Sequence, residues 1–414
     1  MTDFLEIKQK MSKLEQLERE LHLKQLQINS LLNITQAIND NLSASDLFDM
    51  YRRFLDWEIG VRKMALFILK NGVWKCMTHI NVPKELLDID ITPILKKHTR
   101  PNQITEDENP LAKLFDIIIP VSHKDVPIAY AFIGGFTKGE DMYNKLQFIT
   151  TITNIVAVAI ENKRLFKKQI EQEGIRREME WAGEMQRLLI PSKFPKSAIF
   201  EMSGVYMPHF TVGGDYFDFI EFDEHKMMFC IADISGKGIS AAIMMANFQA
   251  NLRSLVRRRD TPQAFLEALN RSIYRITQGD RYLTFFIAEY DQKNRRLRYA
   301  NAGHVPPMLL MDNKIHHLKE GCTILGAFPK LPKIKIGTID LPSEATLLAF
   351  TDGLTDIRNE NQDEFEVPMI ETFLQNNHHL TAENFNQALV AHTKAFKGVM
   401  DYPDDFTLMT CKFL

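Results

Sequence analysis

From residue 2 to about 32 the chain has no Pro or Gly and is rich in Leu, Glu, Lys and Gln, residues that favour helix. Ile7, Leu14, Leu21 and Ile28 recur every seven positions; Phe4, Met11 and Leu32 take the companion positions, which Glu18 and Gln25 interrupt. This seam predicts a coiled-coil helix over residues 1–32, parallel and dimeric, with the polar breaks fixing register at some cost in stability. The alternative is a single amphipathic helix packed on its own domain. The pattern then changes. Residues 44–54 read as a helix behind Ser43, 64–69 and 73–79 as strands joined by Asn71-Gly72, and 117–121 and 128–136 as a further strand pair. A second long helix runs from about 141 to 189, where Ile175, Met179, Ala182, Gln186 and Leu189 step by fours and threes. Gly174 and Gly183 are its expected weak points, at about 1 kcal/mol each relative to Ala. Pro191 and Pro195 end it.

Beyond 199 the pattern is strand-rich. Strands are expected at 200–207, 216–222, 227–233, 283–290, 296–301, 308–311, 334–339, 346–350 and 406–413. Helices are expected at 239–259, 262–278, 367–376 and 382–396. Hairpin-like connections dominate, so the region is α+β, with antiparallel sheets and helices on their outer faces. The chain divides into a coiled-coil helix (1–32), a sensor-like domain (33–163), a connector helix (164–192) and a C-terminal domain (193–414).

Composition narrows this further. With 414 residues, 45% hydrophobic and 25% charged, the chain has room for two or three cores and is not mostly disordered. A net charge of −3 gives no bulk affinity for polyanions, so no nucleic-acid partner is expected. The one basic cluster, Arg253 with Arg257, Arg258 and Arg259, reads as a solvated helix face. Cys76, Cys230, Cys322 and Cys411 have no CxxC spacing, so reduced thiols are expected rather than disulfides or zinc. The N-terminus lacks a signal-peptide apolar region, and the longest apolar run, 152–160, is far below the ~20 residues of a membrane span. A cytoplasmic location is expected.

The chemistry lies in four acidic motifs: Gly213-Gly214-Asp215-Tyr216-Phe217-Asp218, Asp233-Ile234-Ser235-Gly236-Lys237-Gly238, Thr351-Asp352-Gly353-Leu354-Thr355-Asp356, and Pro403-Asp404-Asp405-Phe406. Each places Asp where a strand ends or a turn begins. Carboxylates gathered at adjacent strand ends repel one another unless a cation joins them. Mg²⁺ and Mn²⁺ take oxygen ligands, and no Cys or His belongs to the set, which disfavours zinc. Two such ions ~3.5–4 Å apart can activate a water against a phosphoryl group. Any one motif alone is ordinary turn chemistry.

Taken in order, GGDYFD, IADISGKG, NAGHVPP, FTDGLTD and DDFTLM resemble the bacterial branch of the PPM-type (type 2C) protein phosphatases, the SpoIIE/RsbU-like group. The segment EMQRLLIP, from Glu184 to Pro191, resembles the helix that leads into that domain. The resemblance implies an αββα sandwich of two antiparallel sheets, with metals at one end. It implies that Asp215 and Asp233 bind a first Mn²⁺ or Mg²⁺, and that Asp233, Asp352 and Asp404 bind a second, with the Ile234 carbonyl as a further ligand. Asp405 is the substitute if the turn register differs by one, and Asp218 and Asp356 are supporting residues, Asp218 being a less certain ligand.

Eukaryotic members have a His just after the bridging Asp; Ser235 falls near that position here. His304 is a candidate proton donor, a structural histidine being the other reading. The Ser235–Gly238 turn lacks the upstream Gly and following Ser/Thr of a phosphate loop, so ATP is not expected. The layout of residues 33–163 is similar to GAF sensor domains, without a ligand signature. The implied function is a metal-dependent serine/threonine phosphatase acting on a phosphorylated STAS-type anti-sigma-factor antagonist. It would work as a homodimer through its coiled-coil and connector helices, under control of an unidentified ligand or partner at the sensor. The rivals are a catalytically silent partner-binding regulator and a hydrolase of small phosphoesters.

Overall fold

The computed structural model describes the chain except residues 1, 71, 96–99, 101, 105–108, 124–125, 136–141, 258–260 and 342–343. Two units are present, Met1–Glu173 and Gly174–Leu414.

The N-terminal unit begins with α1 (Thr2–Asn39) and α2 (Ala44–Arg53), the latter capped by Ser43, whose hydroxyl accepts the Asp46 N–H at 3.2 Å. Five strands follow: β1 (Lys63–Lys70), β2 (Val73–Ile80), β3 (Asn102–Gln103), β4 (Ile117–His123) and β5 (Val126–Gly134). A short α3 (Thr92–Leu95) lies between β2 and β3, and α4 (Met142–Arg187) begins in this unit and ends in the next. The sheet is antiparallel in the order β2-β1-β5-β4-β3. The expected hairpin is there, with Lys70 opposite Val73, although Asn71 itself lies outside the described residues. One side of the sheet packs Ile119, Ala131 and Ile133 against Phe48, Tyr51, Ile149 and Ile152 of the helices.

Helix α1 does not stop near residue 32. Ile34 and Ala37 turn into this core, so burial carries the helix on to Asn39. Upstream, Met11, Leu14, Leu21, Ile28 and Leu32 stay exposed, so the heptad seam is a surface feature of the single chain.

The C-terminal unit contains β6 (Phe200–Met207), β7 (Tyr216–Glu221), β8 (Lys226–Ile234), α5 (Ile239–Val256), α6 (Pro262–Thr277), β9 (Leu283–Asp291), β10 (Arg296–Ala302), β11 (Met308–Met311) and β12 (Lys314–His317). After these come β13 (Gly321–Cys322), β14 (Gly337–Asp340), β15 (Ala345–Phe350), α7 (Val367–Asn377), α8 (Ala382–Lys397) and β16 (Phe406–Phe413). One sheet runs β13-β10-β9-β8-β7, with β14 also on β10; the other runs β12-β11-β15-β16-β6. All pairings are antiparallel except β10 with β13. The short β12 and β13 have no counterpart in the sequence pattern: KIHH and GC are too short and too polar to register as strands.

Phe200 and Phe413 of one sheet meet Phe229 and Tyr290 of the other, with ring centroids 4.6–6.5 Å apart. Helices α5 and α6 cover the far side of the first sheet through Phe248, Leu252, Phe265 and Leu266. Helices α7 and α8 cover the second through Ile370, Leu374, Phe385 and Leu389. This four-layer arrangement explains why β8 and β15 are apolar on both faces. All four cysteines are unpaired.

Gly183 proves to be something other than a weak point. A Cβ there would lie 2.5 Å from the Thr211 carbonyl oxygen, so the glycine lets α4 approach the loop before β7. At Gly174 nothing crowds the missing side chain.

Candidate active site

The acids gather at one end of the C-terminal unit because strand ends of both sheets meet there. β8 ends on Asp233 and Ile234, β7 begins directly after Asp215, β15 stops two residues before Asp352, and β16 begins directly after Asp405. Gly214 donates its N–H to Asp405 Oδ2 at 2.5 Å, and a Cβ at Gly214 would sit 2.8 Å from the Ile234 carbonyl oxygen. A Cβ on Gly213 would sit 2.2 Å from Asp405 Oδ2. The two glycines therefore let the loop wedge between Asp405 and Ile234 and deliver Asp215 to the cluster. Gln186, near the end of α4, grips the same loop: its Nε2 donates to the Gly213 carbonyl (2.6 Å) and its Oε1 accepts the Gly213 N–H (3.1 Å).

Asp215 is buried, and its Oδ2 accepts the hydroxyls of Thr351 (2.7 Å) and Thr407 (2.6 Å), one from each side of the TDG and DDF motifs. Burial, then the charges of Asp233 and Asp405, hold its carboxyl well above the usual range. Asp233 is pushed up to about 7 by burial and then by Asp352, Asp404 and Asp405, with Lys237 opposing. Asp352 is raised by burial and then by Asp356 and Asp404; Asp356 is raised by burial and then by Asp404 and Glu364. These mutual effects place Asp215, Asp233, Asp352 and Asp404 in one electrostatic cluster, with Asp356 at its edge.

Asp215, Asp404 and Asp405 have protein partners. Asp404 Oδ2 meets the Lys237 ammonium at 2.8 Å. Asp405 accepts the backbone N–H of His209 (2.8 Å) as well as that of Gly214, so it braces the loops. Among the described residues, no three His, Cys, Asp or Glu side chains are placed as they stand to hold one ion. The donor set nevertheless fits hard divalent cations. It is all oxygen, burial and neighbouring charges raise the carboxyls of Asp215, Asp233 and Asp352 and so favour a compensating cation, and Lys237 lies on Asp404 as counter-charge.

Asp218 is not brought to this cluster. It is fully buried and held in bidentate fashion by Arg253 (2.7 and 2.8 Å), with the Tyr216 hydroxyl at 2.5 Å. Arg253 thus ties α5 to β7 instead of lying on a solvated face, while Arg258 and Arg259 fall outside the described residues. A residue two positions after a strand start, paired with one on a helix 35 residues away, leaves no local trace in the sequence.

His304 is buried, its Nδ1 bonded to the Thr284 hydroxyl at 2.8 Å. Burial lowers its pKa to about 4, so near neutral pH it has no extra proton to give, which supports the structural reading. The Ser235 hydroxyl accepts the Tyr282 N–H (3.1 Å), which ties the glycine-rich turn to the start of β9. Arg281 was not singled out by the sequence. Its Nη1 donates to the Ser235 carbonyl (3.2 Å) over Gly236, whose φ of +104° and absent Cβ make room for the guanidinium.

The raised carboxyls predict a pH dependence. Asp233 binds its proton more tightly folded than unfolded, so the stability this confers is complete below about pH 4 and is lost as pH rises through about 7. His304 acts oppositely but only below its unfolded value of 6.5. Between pH 6.5 and 8, in EDTA, the melting temperature of the C-terminal unit should therefore fall, and Mn²⁺ should restore more at pH 8 than at pH 6.5. A melting temperature that is flat or rising in EDTA over that interval would contradict the clustering of the acids.

Comparison with known proteins bears on the C-terminal unit. Residues 223–414 match the family described as Stage II sporulation protein E (SpoIIE). The chain is 28% identical over 224 residues to the phosphoserine phosphatase RsbU of Bacillus subtilis, covering 54% of this chain and 66% of RsbU. It is 25% identical over 186 residues to the phosphoserine phosphatase RsbP of the same organism, covering 44% and 46%. The chain thus spans less than two thirds of these relatives' length. Among solved structures, the SiaA-PP2C domain of Pseudomonas aeruginosa aligns with a TM-score of 0.53 at 18% identity, over 59% of this chain and 99% of that domain. The C-terminal fold is that of the PP2C phosphatases. No described helix is long and apolar enough to cross a membrane.

Proposed function

We propose that residues 193–414 form a metal-dependent protein serine/threonine phosphatase whose substrate is a phosphorylated STAS-type anti-sigma-factor antagonist. The observation that carries this reading is a chain of carboxyls at the meeting of two sheet ends that raise one another: Asp215 is opposed by Asp233 and Asp405, Asp233 by Asp352, Asp404 and Asp405, and Asp352 by Asp404. Asp215 and Asp233 would hold one Mn²⁺ or Mg²⁺, and Asp233, Asp352 and Asp404 a second, with the Ile234 carbonyl as a further ligand. Two such ions, when bound, supply Lewis-acid polarisation of the phosphoryl group and a water acidic enough to attack phosphorus directly.

The chain's own residues do the rest. The Thr351 and Thr407 hydroxyls fix Asp215 in one orientation. Asp405 and Gln186 hold the loop that carries it. Lys237, now on Asp404, and Arg281, over the glycine-rich turn, bring positive charge to a mouth that would otherwise repel a phosphate dianion. The test is release of inorganic phosphate from a serine-phosphorylated STAS-domain protein with Mn²⁺, beside Asp233→Asn and Asp352→Asn. No release by the wild type, or equal release by the variants, rejects the reading.

The N-terminal unit is read as a GAF-like sensor that regulates this activity through a dimer. Its support is the exposed seam of α1, Met11, Leu14, Leu21, Ile28 and Leu32, which a second copy would cover. Light scattering should give twice the chain mass for the full-length protein and a lower association state for residues 180–414. A full-length monomer at micromolar concentration would end the dimer reading.

A further inference from the structure

Exposed large apolar side chains flank the acid cluster on three separate backbones. Ile239 and Ile243 form one stripe on the first turns of α5, with Ile243 66% exposed; Ile239 directly follows Gly238, one residue past the Lys237 that meets Asp404. Tyr282 bonds the glycine-rich turn through its backbone, its N–H to Ser235 Oγ and its carbonyl to the Ser235 N–H. Phe210 follows His209, whose N–H is bonded to Asp405. All three are held by the same turns that hold the acids.

The α5 stripe shows that this is local to the site. One turn beyond Ile243 the same stripe turns polar at Asn247, while the opposite stripe, Met244, Met245 and Phe248, is buried as a core face should be. Solvent has no use for isoleucines on the outer face of the first turns, and neither does a small phosphoester, which needs only cations and the acid cluster. Apolar side chains flanking a charged centre are the composition of a protein-docking rim. The cations point the same way. Lys237 lies on Asp404 and Arg281 on the Ser235 carbonyl, so positive charge stands beside the acids, where it would attract an incoming phosphate.

We propose that Phe210, Ile239, Ile243 and Tyr282 form the docking rim for a folded phosphoprotein, which presents its phosphorylated serine or threonine to the acid cluster. The inference rests on the phosphatase reading and adds to it which surface selects a protein over a small ester. The rim contacts partner side chains outside the scissile group, so its contribution falls on binding of the phosphoprotein and leaves the chemistry at phosphorus alone.

The experiment compares a serine-phosphorylated STAS-domain protein with p-nitrophenyl phosphate, both with Mn²⁺ and full-length enzyme. Ile243→Asp should lower kcat/KM on the phosphoprotein tenfold or more, mainly through KM, and change hydrolysis of p-nitrophenyl phosphate less than twofold. Ile243→Ser should shift the phosphoprotein value in the same direction by less. Ile199→Asp is the control: Ile199 precedes Phe200, which pairs with Phe413 at the opposite end of the β6–β16 pair, and it should change neither rate. Equal loss on both substrates, or no loss on the phosphoprotein, would overturn the docking rim while leaving the phosphatase reading intact. Hydrolysis of the small ester alone by the wild type would overturn the folded-protein occupant. Hydrolysis of neither substrate would remove the phosphatase reading, and the rim with it.

Discussion

Asp233→Asn should abolish phosphate release, by roughly 10³-fold or more, and leave the C-terminal unit folded. The two halves of this expectation come from one feature. Asp233 ends β8, paired across the sheet with Thr284, so neither the strand nor its register depends on the carboxylate. What depends on it is charge: of the clustered acids it is the one opposed by Asp352, Asp404 and Asp405 together. An amide of the same shape removes that repulsion but keeps one oxygen. Without metal, at pH 8, the variant should melt no lower than wild type, because the carboxyl it replaces is held up at about 7 and ionises at a cost there. With Mn²⁺ the order should reverse, since wild type gains from the ion and the variant does not. Phosphate release and thermal melting with and without Mn²⁺ decide both parts. Retained activity would show that Asp233 is not at the reacting centre.

The second large effect is on stability. Arg253→Ala removes both guanidinium bonds from Asp218, a fully buried carboxylate whose remaining partners are the Tyr216 hydroxyl and the Phe219 N–H. Leaving one member of a buried pair alone costs about 3–5 kcal/mol. The Arg253 side chain is 49% exposed, so water and relaxation place the cost near ~3 kcal/mol. In a domain of this size that corresponds to roughly 6–12 °C in melting temperature. Combining Arg253→Ala with Asp218→Asn should recover much of the loss, because the unpaired charge goes with its partner. A single variant that melts like wild type would show that the pair contributes no net stability.

Much of the C-terminal fold was legible in the residue pattern, and for a physical reason. A four-layer sandwich buries both faces of its central strands, so β8 and β15 read as uninterrupted apolar runs, and the two helix pairs read as separate amphipathic stretches. Short edge strands such as β12 and β13 were not legible, since edge pairing asks little of side chains. The long helices were legible as helices but not in their ends: α1 runs to Asn39 because Ile34 and Ala37 find a core, which is a tertiary event. Gly183 was misread for a similar reason. Its meaning lies in a carbonyl 28 residues away, at Thr211, and not in its helix propensity.

By itself the sequence determined the donors available, carboxylates placed next to strand ends and in Asp-Gly turns, because both features are local; their roles as metal ligands follow only from the resemblance to the PPM-type phosphatases. Only the tertiary structure decided which of the acids feel one another's charge: two sheets bring their ends to one place, so Asp215 is raised by Asp233 and Asp405, and Asp233 by Asp352, Asp404 and Asp405. Asp405 is spent bracing the Gly213–Gly214 loop, and Asp218, in the same motif as Asp215, is spent on Arg253. On a strand, positions three apart point to opposite faces, so two acids in one motif can belong to different layers. The same holds for Arg281 and for the rim of Ile239, Ile243, Tyr282 and Phe210. Their roles depend on neighbours brought from distant parts of the chain, and folding alone makes them neighbours.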